Sequence, residues 1–332
     1  MRRLMALLLI LMLLPLSAHA EQPTTYAMLV KDTQNPYMQK MYEGFVDACE
    51  ELMVSPMLAG PDEMDDQAQA ALIEQLIEQD VAALAIAASD GDAVKQPLLD
   101  ALAAGMPVVS VDSAVDAECR LTHIQQADPQ IVARALMQAA HRMIGGVGQV
   151  AILSTTSTMP NQSTWVRLMI EEYEANPDTY QQMQIVEIAY GNDEDQTSRE
   201  EVSRLLSSYP DLKVLIAPTT MGLKAAAEEC AAQGSGVLLT GLGLPSDMEP
   251  FITSGSCPWM YLWNPIDTGY LAAYALHALT EQQITGQSGE TFSAGRFGEK
   301  IVTESLDGGT EIVVGNPYKF DANNILSWKN AF

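Results

Sequence analysis

The 332 residues carry 43 acidic against 17 basic side chains, a formal net charge of −26, and 48% of them are hydrophobic. Such a charge repels phosphate backbones and anionic headgroups, which excludes nucleic acid and lipid surfaces as natural partners and suits a soluble protein in an exposed compartment. The length exceeds what one core usually supports, so two domains are expected.

The chain opens with Arg2 and Arg3, an apolar run from Leu4 to Leu16, and the small-x-small ending Ala18-His19-Ala20. This is the pattern of a secretory signal peptide, and the run is shorter than the about 20 apolar residues of a membrane span. A leader over residues 1–20 is therefore expected, with a mature chain starting at Glu21. Residue 21 is not Cys, so no lipid anchor is indicated, and free diffusion in a periplasm is expected, or secretion if the cell has one membrane. Four cysteines follow, Cys49, Cys119, Cys230 and Cys257, with no CxxC, and three pairings are open to them. Cys49 and Cys230 fall on amphipathic helical patterns, which favours buried free thiols.

In chain order, Tyr26–Lys31 is an apolar run ended by a turn at Asn35-Pro36, after which Met38, Met41, Tyr42, Phe45, Val46 and Cys49 recur at helical spacing. A second helix is expected around Leu72–Ile77, a strand over Val81–Ala87, a helix near Val94–Ala104 and a strand over Pro107–Val111. The same order then returns: a strand over Gln149–Leu153, helices at Trp165–Tyr173 and Ser198–Leu206, a strand over Lys213–Ala217, a helix at Leu223–Gln233, and a strand over Val237–Leu242. Strands alternating with helices of this length predict an α/β fold with parallel sheets covered on both faces, here as two similar doubly wound lobes. Ligands of such sheets sit outside the carboxyl ends of the strands. Function is therefore expected in the loops 31–37, 88–91, 112–113, 154–162, 218–221 and 243–245.

Several chemical motifs fail on context. Gly146-Val-Gly148-Gln-Val-Ala151 fits a dinucleotide fingerprint in letters, yet it follows a helix and precedes a strand, the reverse of the required order, and is read as a helix stop. No phosphate loop or nucleophile elbow is present, and His123, His141 and His277 have no metal-ligand spacing. Asp193-Glu194-Asp195 lacks the glycine and terminal glutamate of a calcium loop and is read as a solvated turn. No cofactor, metal or catalytic constellation is expected, and the chain is read as a non-enzyme.

From Tyr26 onward the chain resembles the type I periplasmic sugar-binding proteins of ABC importers, most closely their rhamnose-binding branch, with the autoinducer-2 receptors as relatives. The resemblance is carried by LVKDTQNPYM at 29–38, VVSVDS at 108–113, NQSTW at 161–165 and IAPTT at 216–220. It continues in TGLGLP at 240–245, LWNPIDTGYLAAYALHAL at 262–279 and TFSAGRFGE at 291–299. It implies a Venus-flytrap architecture with three hinge crossings, near 123–127, 259–264 and after Gly298. The first lobe would span 21–124 plus about 264–298, and the second 125–263 plus about 299–332. It further implies a protein that closes on a small ligand and presents the closed face to a membrane permease, and a monomer is expected because nothing in the sequence suggests an oligomer interface.

A neutral polyol needs side chains that satisfy several hydroxyls at once, and an aromatic face for its C–H surface. The strand-end loops hold that mixture. Lys31 donates, Asp112 and Asp90 accept, Asn161 and Gln162 do both, Thr219 and Thr220 add hydroxyls beside Pro218, and Tyr37 and Trp263 offer rings. Plainer roles stand beside these. Lys31 would solvate a strand end, Asp112 and Asp90 would serve turns, Asn161 would cap the following helix, and the rings would pack in core or hinge. Trp165 is expected beneath the loop rather than in the cleft. Autoinducer-2 receptors resemble the chain at Lys31, Asp112, Gln162 and Pro218, but carry Asp where Asn161 stands and Asp-Ala where Thr219-Thr220 stand. Those departures follow the rhamnose-binding pattern, whereas Glu118-Cys119-Arg120 is similar to the autoinducer branch. A repressor core of the same fold would need an N-terminal helix-turn-helix in place of the expected leader. A secreted α/β enzyme would need an acid–base pair, for which Asp90 and Asp112 are the nominees.

Overall fold

The computed structural model describes residues 24–331. The expected leader over residues 1–20 lies outside them. The chain begins β1 (Thr25–Leu29), α1 (Pro36–Glu51), β2 (Ser55–Ala59), α2 (Asp66–Glu78), β3 (Ala83–Ile86), α3 (Gly91–Ala103), β4 (Val108–Val111) and β5 (Thr122–Gln125). It continues with α4 (Pro129–Met143), β6 (Val147–Ser154), α5 (Pro160–Ala175), α6 (Pro177–Tyr180), β7 (Gln182–Tyr190) and α7 (Asp195–Ser208). Next come β8 (Leu212–Ala217), α8 (Thr220–Ala232), β9 (Leu238–Gly241), α9 (Pro245–Ser254) and β10 (Trp259–Leu262). The last stretch holds α10 (Pro265–Thr280), β11 (Thr291–Ser293), β12 (Glu299–Ile301), β13 (Thr303–Glu304), β14 (Thr310–Val313), β15 (Tyr318–Asp321) and α11 (Ile325–Trp328).

Two sheets organise these elements. The first has the order β13-β14-β5-β4-β3-β1-β2, parallel except for the β13–β14 hairpin. The second, β7-β6-β8-β9, is parallel throughout and is extended by a bridge from Leu242 to Tyr261 of β10. The two-lobed parallel-sheet class expected from the periodicity is what the chain forms. The lobes share one plan, β2-β1-β3-β4 answering β7-β6-β8-β9, and the first sheet carries the late β13–β14 hairpin in addition.

Local chemistry explains the pattern. β1 is buried on both faces from Tyr26 to Leu29, which is why it reads as a continuous apolar run. Asn35 caps α1 by accepting from the Tyr37 amide at 2.9 Å, Pro36 supplies the first helical φ, and Met38, Met41, Phe45 and Cys49 form the buried stripe. α1 crosses α10 at Gly44 and Gly269, where an added Cβ would overlap the carbonyls of Ile266 and Met41. Gly145 and Gly146 stop α4 with φ of 61° and 80°, as the helix-stop reading required.

Helix α4 packs on β8, β9 and β10, whereas α10 packs on β3, β4 and β5. The chain therefore passes from the first sheet to the second between β5 and α4 and back between β10 and α10. The third crossing differs from expectation. β14 pairs in parallel with β5 on the first sheet, and only β15 returns to the second lobe, antiparallel to β10. Residues 299–313 thus build on the first lobe, because β14 completes the ladder that β5 would otherwise leave as an open edge.

No helix among the described residues is long and apolar enough to cross a membrane. The four cysteines are free and buried. Burial pushes the Cys49 and Cys257 thiols up to about 12 and Cys230 up to about 11, which removes them as nucleophiles.

Candidate ligand-binding site

The carboxyl ends of both sheets meet at a cavity of about 40 Å³. From the first lobe, Lys31 follows β1 and Asp112 follows β4. Their side chains, 9% and 6% exposed, form an ion pair at 2.9 Å. Asp112 holds a left-handed φ of 62°, a conformation that aspartate tolerates at some cost in strain, and it accepts from Ser113 Oγ at 3.3 Å. A buried pair of this kind is a poor source of stability, since desolvation consumes the attraction.

Tyr37 enters from the first turn of α1, and Trp263 from the crossing between β10 and α10. Trp263 Nε1 donates to Tyr37 Oη at 2.6 Å, with the rings edge-on at 6.5 Å. Burial, reinforced by the neighbouring Asp112 carboxylate, holds the Tyr37 phenol well above its ordinary value, so it stays protonated. The Trp165 ring lies 5.6 Å from that of Trp263. Trp165 is 2% exposed, so it is packed as expected, yet it also borders the cavity.

The second lobe supplies Gln162 from the first turn of α5, and Pro218, Thr219 and Thr220 from the loop between β8 and α8. Gln162 Oε1 is buried with no partner among the described residues. Thr219 does not cap α8. Its hydroxyl donates instead to Asp193, whose other oxygen accepts from Asn35 Nδ2 of the first lobe at 3.4 Å. Burial raises the Asp193 carboxyl above the usual carboxylate range, with Thr219 and Lys31 opposing and Asp112 adding to the rise. One lysine therefore faces two carboxylates, one from each lobe.

Eight residues singled out in the sequence line this cavity: Lys31, Tyr37, Asp112, Gln162, Pro218, Thr219, Thr220 and Trp263. Two do not. Asp90 is the N-cap of α3, accepting from the amides of Asp92 at 2.9 Å and Ala93 at 3.1 Å, and the helix that starts at Gly91 keeps it off the cavity. Asn161 lies inside the first turn of α5 rather than before it, because Pro160 starts the helix one residue earlier and Met159 takes the cap position. It borders a second, outer cavity, and its Nδ2 has no partner among the described residues.

Sequence reasoning missed Asn35, Met38, Leu242 and Leu262 as lining residues, and above all Asp193. Asp193 was read as a solvated turn. It follows β7, and recognising Gln182–Tyr190 as a strand would have made 191–194 another strand-end loop.

A model of the periplasmic binding protein domain matches residues 26–284. The chain belongs to the periplasmic binding proteins. This binding protein is similar to an ABC transporter solute-binding protein of Clostridium phytofermentas with bound L-rhamnose, at 38% identity and a TM-score of 0.90, over 94% of this chain and 99% of that one. It is 28% identical over 264 residues to the D-ribose/D-allose-binding protein of Pseudomonas aeruginosa, covering 73% of this chain and 78% of the relative. LsrB of Clostridium saccharobutylicum in complex with AI-2 superposes with a TM-score of 0.85 over 92% of this chain and 99% of that one. Its 18% identity makes that a likeness of fold alone.

Proposed function

We propose that this periplasmic binding protein is the exported sugar-capturing subunit of an ABC importer, and that its cargo is L-rhamnose or a closely similar neutral monosaccharide. The observation that carries this reading is the inner cavity itself. Both lobes contribute to it, and it places one ammonium, two carboxylates, two amides and two threonine hydroxyls around three aromatic side chains. Lys31 donates to ligand hydroxyls, while Asp112 and Asp193 each accept from two neighbouring ones. Gln162 presents its unpaired oxygen, Thr219 and Thr220 complete the ring of polar partners, and Pro218 shapes the rim. Trp263 and Tyr37 face the C–H surface of the sugar.

A neutral ligand suits the charge, because an anionic sugar would meet a carboxylate excess in a dry site. The 38% identical relative with bound L-rhamnose supports the choice of sugar. Closure about the three crossings buries the ligand and remodels the outer face that a permease reads, so transport is gated by occupancy. The protein works as a monomer in the periplasm, binds without catalysing, and uses no cofactor. Titration calorimetry against L-rhamnose, other deoxy sugars, pentoses and autoinducer-2 tests the reading. Micromolar binding of L-rhamnose, about −8 kcal/mol, is the expected result. Micromolar binding of autoinducer-2 with no heat from any sugar would overturn it.

A further inference from the structure

Beside α5 lies a second cavity of about 430 Å³. Its walls are the crossing between β5 and α4, the first turns of α5, and the β13–β14 hairpin, so both lobes contribute to it as they do to the inner one. We propose that this outer cavity is a second saccharide subsite, and that the cleft takes a disaccharide whose terminal unit occupies the inner cavity. This rests on the sugar-binding reading above and extends it to a larger substrate class.

Asn161 carries the argument. It is only 9% exposed, borders the outer cavity, and its Nδ2 has no hydrogen-bond partner among the described residues. An amide nitrogen buried without a partner is costly, and a ligand hydroxyl supplies the missing acceptor. Around it the carboxylates divide by occupation. Asp128 caps α4, accepting from the Gln130 amide at 2.8 Å, and Asp307 is held at 2.6 Å by Arg120. Glu311 is already engaged by the Ser305 hydroxyl, yet it and Glu304, on the two strands of the hairpin, keep lone pairs for ligand hydroxyls, since one carboxylate has about four acceptor sites. No group of three His, Cys, Asp or Glu among the described residues is placed to hold a metal ion, so separated hydroxyls fit these carboxylates better than a cation does.

The two cavities are neighbours along one helix turn. Gln162 borders the inner one and Asn161 the outer one, and the Trp165 indole borders both. A disaccharide spanning the two cavities passes the edge of that largely buried indole. The inner cavity is the smaller of the two, so a second unit lies outside it and the glycosidic bond leads out past α5.

Calorimetry of the full protein with L-rhamnose and with rutinose, in which L-rhamnose is joined to D-glucose, tests the proposal. Rutinose is expected to bind at least fivefold tighter than rhamnose. Glu311→Gln and, on an exposed position that does not threaten folding, Glu304→Gln are expected to erase that advantage while leaving the rhamnose constant unchanged. Rutinose binding no tighter than rhamnose, or variants that weaken both sugars equally, would overturn the subsite and leave the monosaccharide reading standing. No heat from either sugar would overturn both.

Discussion

Helix α1 takes part in two regions made of opposite materials. Along its middle, Gly44 lies against the backbone of Ile266 and Gly269 of α10 against that of Met41, and Met41, Phe45 and Cys49 are completely buried. At its first turn, Asn35, Tyr37 and Met38 border a cavity whose polar atoms answer one another across the lobes or, like Gln162 Oε1, answer nothing. The first region is finished without a ligand, and the second is not. Rigidity in the one lets the other hold desolvated charges in place, because a close-packed crossing leaves α1 no slack with which to relax them.

The largest effect should come from breaking the unfinished region at its centre. Asp112→Ala removes the ion-pair partner of the buried Lys31 and leaves only the more distant Asp193 carboxylate to oppose it, and chemical denaturation should show a loss of about 3–5 kcal/mol together with loss of sugar binding by calorimetry. Unchanged binding in that variant would place the ligand elsewhere.

The next effect is a matter of pH. Burial, aided by Arg120, depresses the His123 imidazole from 6.5 to about 4. A depressed pKa contributes stability that is fully present above 6.5 and lost as pH falls through about 4. The histidine should therefore cost about 3 kcal/mol on going from neutral pH to below its folded pKa. Urea denaturation of wild type and His123→Gln at pH 7 and pH 4.5 should show a flatter dependence in the variant.

Gly44→Ala tests the finished region. Forcing a methyl into the Ile266 carbonyl should cost about 1–3 kcal/mol and lower Tm, while the sugar constant of the folded fraction stays near wild type.

The smallest effect is expected at Asp193. Its raised pKa means stability is lost as pH rises from the ordinary carboxylate range through the folded value. Asp193→Asn should flatten that slope and, in calorimetry, narrow the preference for rhamnose over its aldonic acid. An unchanged preference would remove Asp193 from the charge argument.

The sequence was most informative where the same few residues set both the local structure and the site. Lys31, Asp112 and Thr219 each follow an apolar run that could only be a buried parallel strand, so their place at the cleft was legible before any coordinates. Asp193 was not, since β7 is an edge strand with alternating, half-buried residues and lacks the continuous apolar signature of β1 or β8. The partnership of β14 with β5 joins segments far apart in the chain, and nothing local in Thr310–Val313 specifies it. For Asn161 the helix start decided the outcome, because a shift of one residue at Pro160 moved the side chain from cap to first turn.

The contact between Trp165 and Trp263 has a practical side. The protein's four tryptophans divide evenly: these two border the cleft, while Trp259 lies under Lys319 and Trp328 packs on Tyr318 and Phe320. Two of the four indoles that emit therefore border the cleft, and the other two lie away from it. The unlabelled protein is its own optical gauge of occupancy, and mutating Trp259 and Trp328 to phenylalanine would turn it into a sensor whose whole signal comes from the cleft.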